Sequence, residues 1–234
     1  MATSHKSLQQ VRGIISSAHT DCPPAQKLHF YDHWAPEYEE DVSVLEYKAP
    51  YLAAYTLASA IGSNRESQLV LDVACGTGLA AQELHHCGFR LFHGVDGSTG
   101  MLQVAETKEL YLELKQCMLG QESLPFPSDL YNAVIIVGAL SDGQVPVSVI
   151  PELLRVTKQG GFVCLTTRSN KSNLQYKAAL EQELSALKTQ GLWDCISIKE
   201  VEKWEKATSE KEVTVDTDYI SGVIYLYQKC AAKF

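Results

Sequence analysis

The sequence predicts an α/β fold: a doubly wound, mostly parallel sheet of about seven strands with an N-terminal helical cover. Two observations lead to it. From residue 68 onward, short apolar runs alternate with helix-length segments across short connections, the rhythm of parallel strand-helix-strand units. Two of those runs also end in an acid: LVLDVACGTGLA (69–80) reaches Asp72 and breaks into a turn holding Gly76 and Gly78, and RLFHGVDGSTGML reaches Asp96, twenty residues past Gly76. Glycine accepts positive φ and lets a ligand lie against the main chain, while the helix that follows aims unpaired N–H groups at the same spot.

The elements follow in order. Residues 1–27 are polar, hold Pro23 and Pro24 and show no sustained period, which predicts a flexible arm with one helical turn around 8–16. LHFYDHWAPEYEE (28–40) carries aromatics at 30, 31, 34 and 38, near helical spacing, with Pro36 marking a helix start or break. A helix fits 44–61, stopped by Gly62, so 28–62 form a helical lid over an α/β core at 68–234. In the core the predicted strands are 68–74, 90–95, 112–118, 131–138, 161–167, 194–204 and 219–230, and the helices 79–87, 98–108, 146–157 and 173–189. NAVIIVGAL is apolar on both faces, as a buried parallel strand must be.

Composition narrows the class. With 234 residues, 45% hydrophobic and 21% charged, the chain suits one large domain. The longest nearly pure apolar run, AVIIVGAL (133–140), is far below the roughly 20 residues of a membrane span, and MATSHKSLQQVRG lacks the apolar block of a secretory signal. The seven cysteines are odd in number, dispersed and never spaced C-x-x-C, against both a disulfide framework and a zinc site. A reducing compartment is expected, cytoplasmic with nuclear presence left open, as are a monomer and no bound metal. The net charge of −8 weighs against nucleic acid as a partner.

Charge also bears on the ligand. GTGLAA matches the G-x-G-x-x-A turn of dinucleotide sites, but a carboxylate at Asp72 would repel a pyrophosphate and suits a cationic ligand. The motifs D72-V-A-C-G-T-G78, D96-G-S-x-x-M101, the L124-P-F run, the Y131-N-A-V run and the helix leading to G160-G161 resemble the class I S-adenosylmethionine-dependent methyltransferases, and Y31-x-x-x-A35-x-x-Y38 resembles the N-terminal lid of that class's small-molecule enzymes. The resemblance covers about residues 28–234 and implies a Rossmann-like fold with S-adenosylmethionine as cofactor and S-adenosylhomocysteine as product. It implies that Asp72 meets the methionine ammonium, that Ala74, Cys75, Gly76, Thr77 and Gly78 line the methionine portion, that Asp96 with Gly97 meets the ribose, and that Met101 packs on adenine. Tyr31 and Val137 complete the expected set. The family often has an acid before the LPF run for the adenine amino group; here Gln121 or Glu122 would substitute. Asn132 stands where many relatives have Asp, a position that starts a strand.

Other residues keep two readings. His29 and His33 at i, i+4 could chelate or serve as a base, or simply sit on a lid; His85 and His86 close a helix. Cys75 is either a thiol activated by a helix N-terminus or a small turn filler, and Asp142 either orients an amine or metal or forms an Asp-Gly turn. Tyr31, Trp34 and Tyr38 are core anchors or ligand contacts. The sulfonium already activates its methyl group, so no dedicated catalytic residue is required and none is named. The expected activity is in-line methyl transfer to an N, O or S atom of a small molecule or protein; the alternative is a catalytically silent S-adenosylmethionine-binding regulatory or scaffolding module.

Overall fold

The computed structural model describes residues 6–18, 23–207 and 218–231. Four helices come first: α1 (Leu8–Ala18), α2 (Pro24–Trp34), α3 (Tyr38–Val44) and α4 (Ala49–Ile61), with a 3-10 turn at Ala35–Glu37 between α2 and α3. The core then runs β1 (Leu69–Val73), α5 (Leu79–His86), β2 (Leu91–Asp96), α6 (Thr99–Glu106), β3 (Tyr111–Gln116), β4 (Tyr131–Leu140), α7 (Ile150–Val156), β5 (Thr157–Arg168), α8 (Leu174–Thr189), β6 (Trp193–Lys206) and β7 (Tyr219–Lys229).

All seven strands form one sheet in the order β3-β2-β1-β4-β5-β7-β6. Strands β1 to β5 are parallel, and β7 pairs antiparallel with both β5 and β6. The chain reverses direction across the sheet between β1 and β4, and the carboxyl ends of strands at such a switch point open a crevice. Each sheet face has its own apolar layer. Ala53, Leu57, Ala81 and Leu84 of α4 and α5 cover Phe92, Ile135 and Ile224 on one; Leu153, Leu180 and Leu184 of α7 and α8 cover Val134, Ile136 and Val223 on the other. No helix among the described residues is long and apolar enough to cross a membrane.

The amino-terminal segment differs from expectation. The helical turn expected around 8–16 is a longer helix, and it is packed where a flexible arm was expected: α1 has Val11 and Ile15 buried against Trp34 and Leu45. The cause is an i, i+3, i+7 apolar stripe, Leu8, Val11 and Ile15, which lacks a partner until α2 and α3 supply one. Lys6 bridges to Asp41 at 2.8 Å, and the Trp34 indole N–H donates to the same carboxylate at 2.7 Å. Helix α2 starts at Pro24 rather than 28, since proline tolerates a helix's first turn. The helix expected over 44–61 begins only at Ala49, because Glu46 takes a φ of 54° and Pro50 stands in the first turn. Asn132, at the start of β4, receives the Leu69 N–H at 3.1 Å and so ties β4 to β1.

Candidate active site

The site grows from two strand ends. Within five residues after β1, Ala74 (φ 54°), Gly76 (φ 54°) and Gly78 (φ 90°) enter the left-handed region, coiling the chain into a turn that launches α5. Ala74 carries a β-carbon there, a strain of roughly 1–2 kcal/mol held at the turn. At the end of β2, Asp96 clamps this turn: Oδ2 accepts the Gly76 N–H at 2.9 Å and Oδ1 the Ser98 N–H at 2.8 Å. The Cys75 N–H donates to the Val95 carbonyl at 3.0 Å. Burial still pushes the Asp96 carboxyl above its ordinary range against these bonds.

A cavity of about 290 Å³ opens over these ends, lined by Ala74, Gly76, Asp96, Gly97, Met101, Gln121, Val137 and Tyr31. A smaller one of about 40 Å³ adjoins it through Ala74, Gly76 and Val137 and reaches Asp72, Cys75 and Thr77. The Thr77 Oγ1 is buried with no hydrogen-bond partner among the described residues. Eleven of the thirteen residues singled out from the sequence thus line one of two contiguous spaces.

Two do not. Gly78 faces the Tyr111 ring, 3.2 Å from where a β-carbon would stand, so it serves the packing of the turn. Glu122 folds back so that its Oε2 accepts the Met118 N–H at 3.1 Å, closing a local turn, while the neighbouring Gln121 lines the cavity. Cys75 is the small filler of the two readings: burial and the nearby Asp72 push its thiol well above the ordinary range. Asp142 lies in a turn with Gly143 (φ 70°) and lines none of these spaces. His33 Nδ1 sits 2.8 Å from the His29 carbonyl oxygen, and no group of three metal-ligating side chains occurs among the described residues.

Sequence reasoning missed Tyr111, whose hydroxyl donates to Asp72 Oδ2 at 2.8 Å. Burial pushes the Asp72 carboxyl up to about 7; the Tyr111 bond pulls it down, and Asp96 raises it again. A second missed contact ties lid to cradle: Asp32 of α2 accepts from Ser98 Oγ at 2.6 Å and from the Gly100 N–H at 2.8 Å, at the start of α6. Gly100 is required there, because a β-carbon would come within 2.5 Å of the Asp32 backbone.

Residues 70–161 match the family described as a methyltransferase domain. The chain is 57% identical over 188 residues to methyltransferase-like protein 27 of Homo sapiens, covering 80% of this chain and 76% of the relative. The chain belongs to the class I S-adenosylmethionine-dependent methyltransferases. This methyltransferase is also 30% identical over 148 residues to a demethylmenaquinone methyltransferase of Renibacterium salmoninarum, covering 63% of this chain and 60% of that one. Among solved structures, a Haloferax volcanii methyltransferase in complex with the Trm112 methyltransferase activator shares its fold with a TM-score of 0.61 at 16% identity, over 86% of this chain and 98% of the other. A Thermotoga maritima S-adenosylmethionine-dependent methyltransferase does so with a TM-score of 0.56 at 18% identity, over 87% and 99%. The enzyme's cofactor is S-adenosylmethionine.

Proposed function

We propose that the two contiguous spaces over β1, β2 and β4 hold S-adenosylmethionine and that the enzyme methylates an N, O or S atom of a small molecule or protein side chain by in-line displacement. The observation that carries this is the pairing of a ribose-type clamp with an acid-lined recess. Asp96 presents a buried carboxylate with lone pairs beyond those given to Gly76 and Ser98, while Asp72 and the unpartnered Thr77 hydroxyl stand in the adjoining recess. The donor set fits the group: Asp72 would face the ammonium, Thr77 and the 74–78 main chain the methionine portion, Asp96 and Gly97 the ribose, and Met101 with Gln121 the adenine.

When bound, the cofactor supplies a methyl group activated by its sulfonium. The protein's share is then to align an acceptor and exclude water. Tyr31 and Tyr38 border both the cofactor space and a second cavity behind the lid, so an acceptor can approach from a side the cofactor does not fill, which a silent binding module would not need. Residues 24–44 act as the lid, held to α6 by Asp32. Isothermal calorimetry of the full chain with S-adenosylhomocysteine and with NAD tests the placement. Binding of the first alone is expected; binding of NAD alone would overturn it. Amide exchange should show residues 24–44 better protected once S-adenosylhomocysteine is bound.

A further inference from the structure

The cavity behind the lid has about 60 Å³ of room, which holds roughly four to six water-sized groups, the head of a small molecule. It is bounded by Tyr38, Tyr47, Gln144, Arg168 and Glu205. The hydroxyls of Tyr38 and Tyr47 make no hydrogen bond to another group among the described residues, and burial keeps both phenols protonated far above neutrality, so both stand as donors. Gly138 makes room for one of them: a β-carbon there would lie 2.2 Å from the Tyr47 hydroxyl oxygen. Arg168 adds a guanidinium, its Nε 2.8 Å from Glu205 Oε1, so the one acid of the cavity is already offset by a cation. Among the described residues that line it there is no histidine, lysine or cysteine to take a proton from an acceptor, and its one carboxylate, Glu205, is held in the ion pair with Arg168.

A recess of donors without a free base suits a nucleophile that is already an anion at neutral pH and that carries a second oxygen to be held. We infer that this cavity is the acceptor site and that it takes a small carboxylate, which the enzyme methylates on oxygen; this rests on the cofactor placement proposed above. A carboxylate oxygen supplies the electron pair of the new O–C bond, the S–C bond of the sulfonium breaks with its pair going to sulfur, and the positive and negative charges cancel. No proton has to leave, in keeping with a cavity whose one carboxylate is already paired with Arg168. Tyr38, Tyr47 and Arg168 hold the other carboxylate oxygen.

The test uses the full chain saturated with S-adenosylhomocysteine, titrated with acetate, lactate, butyrate and benzoate and, in parallel, with amines and thiols of matching size. It is followed by turnover with methyl-labelled S-adenosylmethionine and alkaline treatment of the product. Binding of a carboxylate in preference to its amine and thiol counterparts, and label released by alkali as methanol, are expected. Tyr47→Phe, which removes one oxygen and leaves the ring, should weaken carboxylate binding about tenfold; Tyr47 also borders the smaller cofactor recess, so S-adenosylhomocysteine affinity is measured beside it and should fall less than carboxylate affinity does. Preference for amines or thiols, alkali-stable label, binding of no probe, or an unchanged Tyr47→Phe affinity would each overturn the inference with the cofactor placement intact. Failure of S-adenosylhomocysteine to bind would overturn both.

Discussion

The cradle at the ends of β1 and β2 is made largely of main chain: three left-handed residues in five, with the Gly76, Cys75 and Ser98 N–H groups pinned by Asp96 and Val95. The cavity on the far side of Tyr31 and Tyr38 is made largely of side chains, drawn from α1 to α3, the connection at 45–47, the end of β4 and the turn after it, β5 and β6. The first needs only a turn and two neighbouring strands to exist. The second exists only once the lid helices dock on the finished sheet, so loosening the lid should damage it before it damages the cradle. On the proposed assignment, specificity for the acceptor resides in the part of the molecule that is cheapest to rearrange, and cofactor binding in the part that is not.

The largest expected effect that sharpens this contrast is at Asp72. Asp72→Asn should reduce S-adenosylhomocysteine affinity about a hundredfold by removing the charge opposite an ammonium. The same change should stabilise the unliganded protein at pH 8. The folded carboxyl is raised from 3.8 to about 7, so it binds protons more tightly than in the unfolded chain, and its burial penalty grows as pH rises from about 4 to about 7 and stays constant above. The gain, on the order of a few kcal/mol at pH 8, should vanish near pH 4 in thermal unfolding. For the parent, cofactor affinity should rise with pH through about 7 as Asp72 ionises.

Next comes Asp96→Ala, which should cost roughly ten- to a hundredfold in binding. Because Gly76 and Ser98 lose their acceptor, it should also cost about 1–3 kcal/mol of stability, read by urea unfolding. A stability equal to the parent's would show that the clamp is not what holds the turn. Asp32→Ala breaks the contrast from the other side. It frees Ser98 and Gly100, and amide exchange should speed up through 24–34 while S-adenosylhomocysteine affinity changes by less than about tenfold. An equal loss of both would mean that lid and cradle are one unit. The smallest effect is Ala74→Gly, which relieves a left-handed alanine and should raise stability by about 0.5–1 kcal/mol without moving cofactor affinity.

The strand-helix alternation, the turn at Gly76 and Gly78 and the acids that close β1 and β2 were legible in the amino-acid sequence, and all seven predicted strands are present. Their signals are local: a period, a turn residue or an acid at a strand end acts over a few neighbours, whatever the rest of the chain does. Helix α1 was legible only as a turn around 8–16; its full length and its docking were not, because a three-residue stripe carries little weight until Trp34 and Leu45 stand opposite it. The Tyr111–Asp72 bond was not legible at all: it spans 39 positions and reaches across β2, where Gly94 leaves room for the Tyr111 ring. Gln121 and Glu122 are adjacent and alike in length, yet one faces the cavity and the other caps a turn, a choice made by backbone direction alone. The sequence by itself determined where a ligand could touch the main chain. Only the tertiary structure decided which side chains gather around the cavity behind the lid, because bringing Tyr47, Arg168 and Glu205 to one recess depends on strand order and lid docking, and no local pattern encodes either.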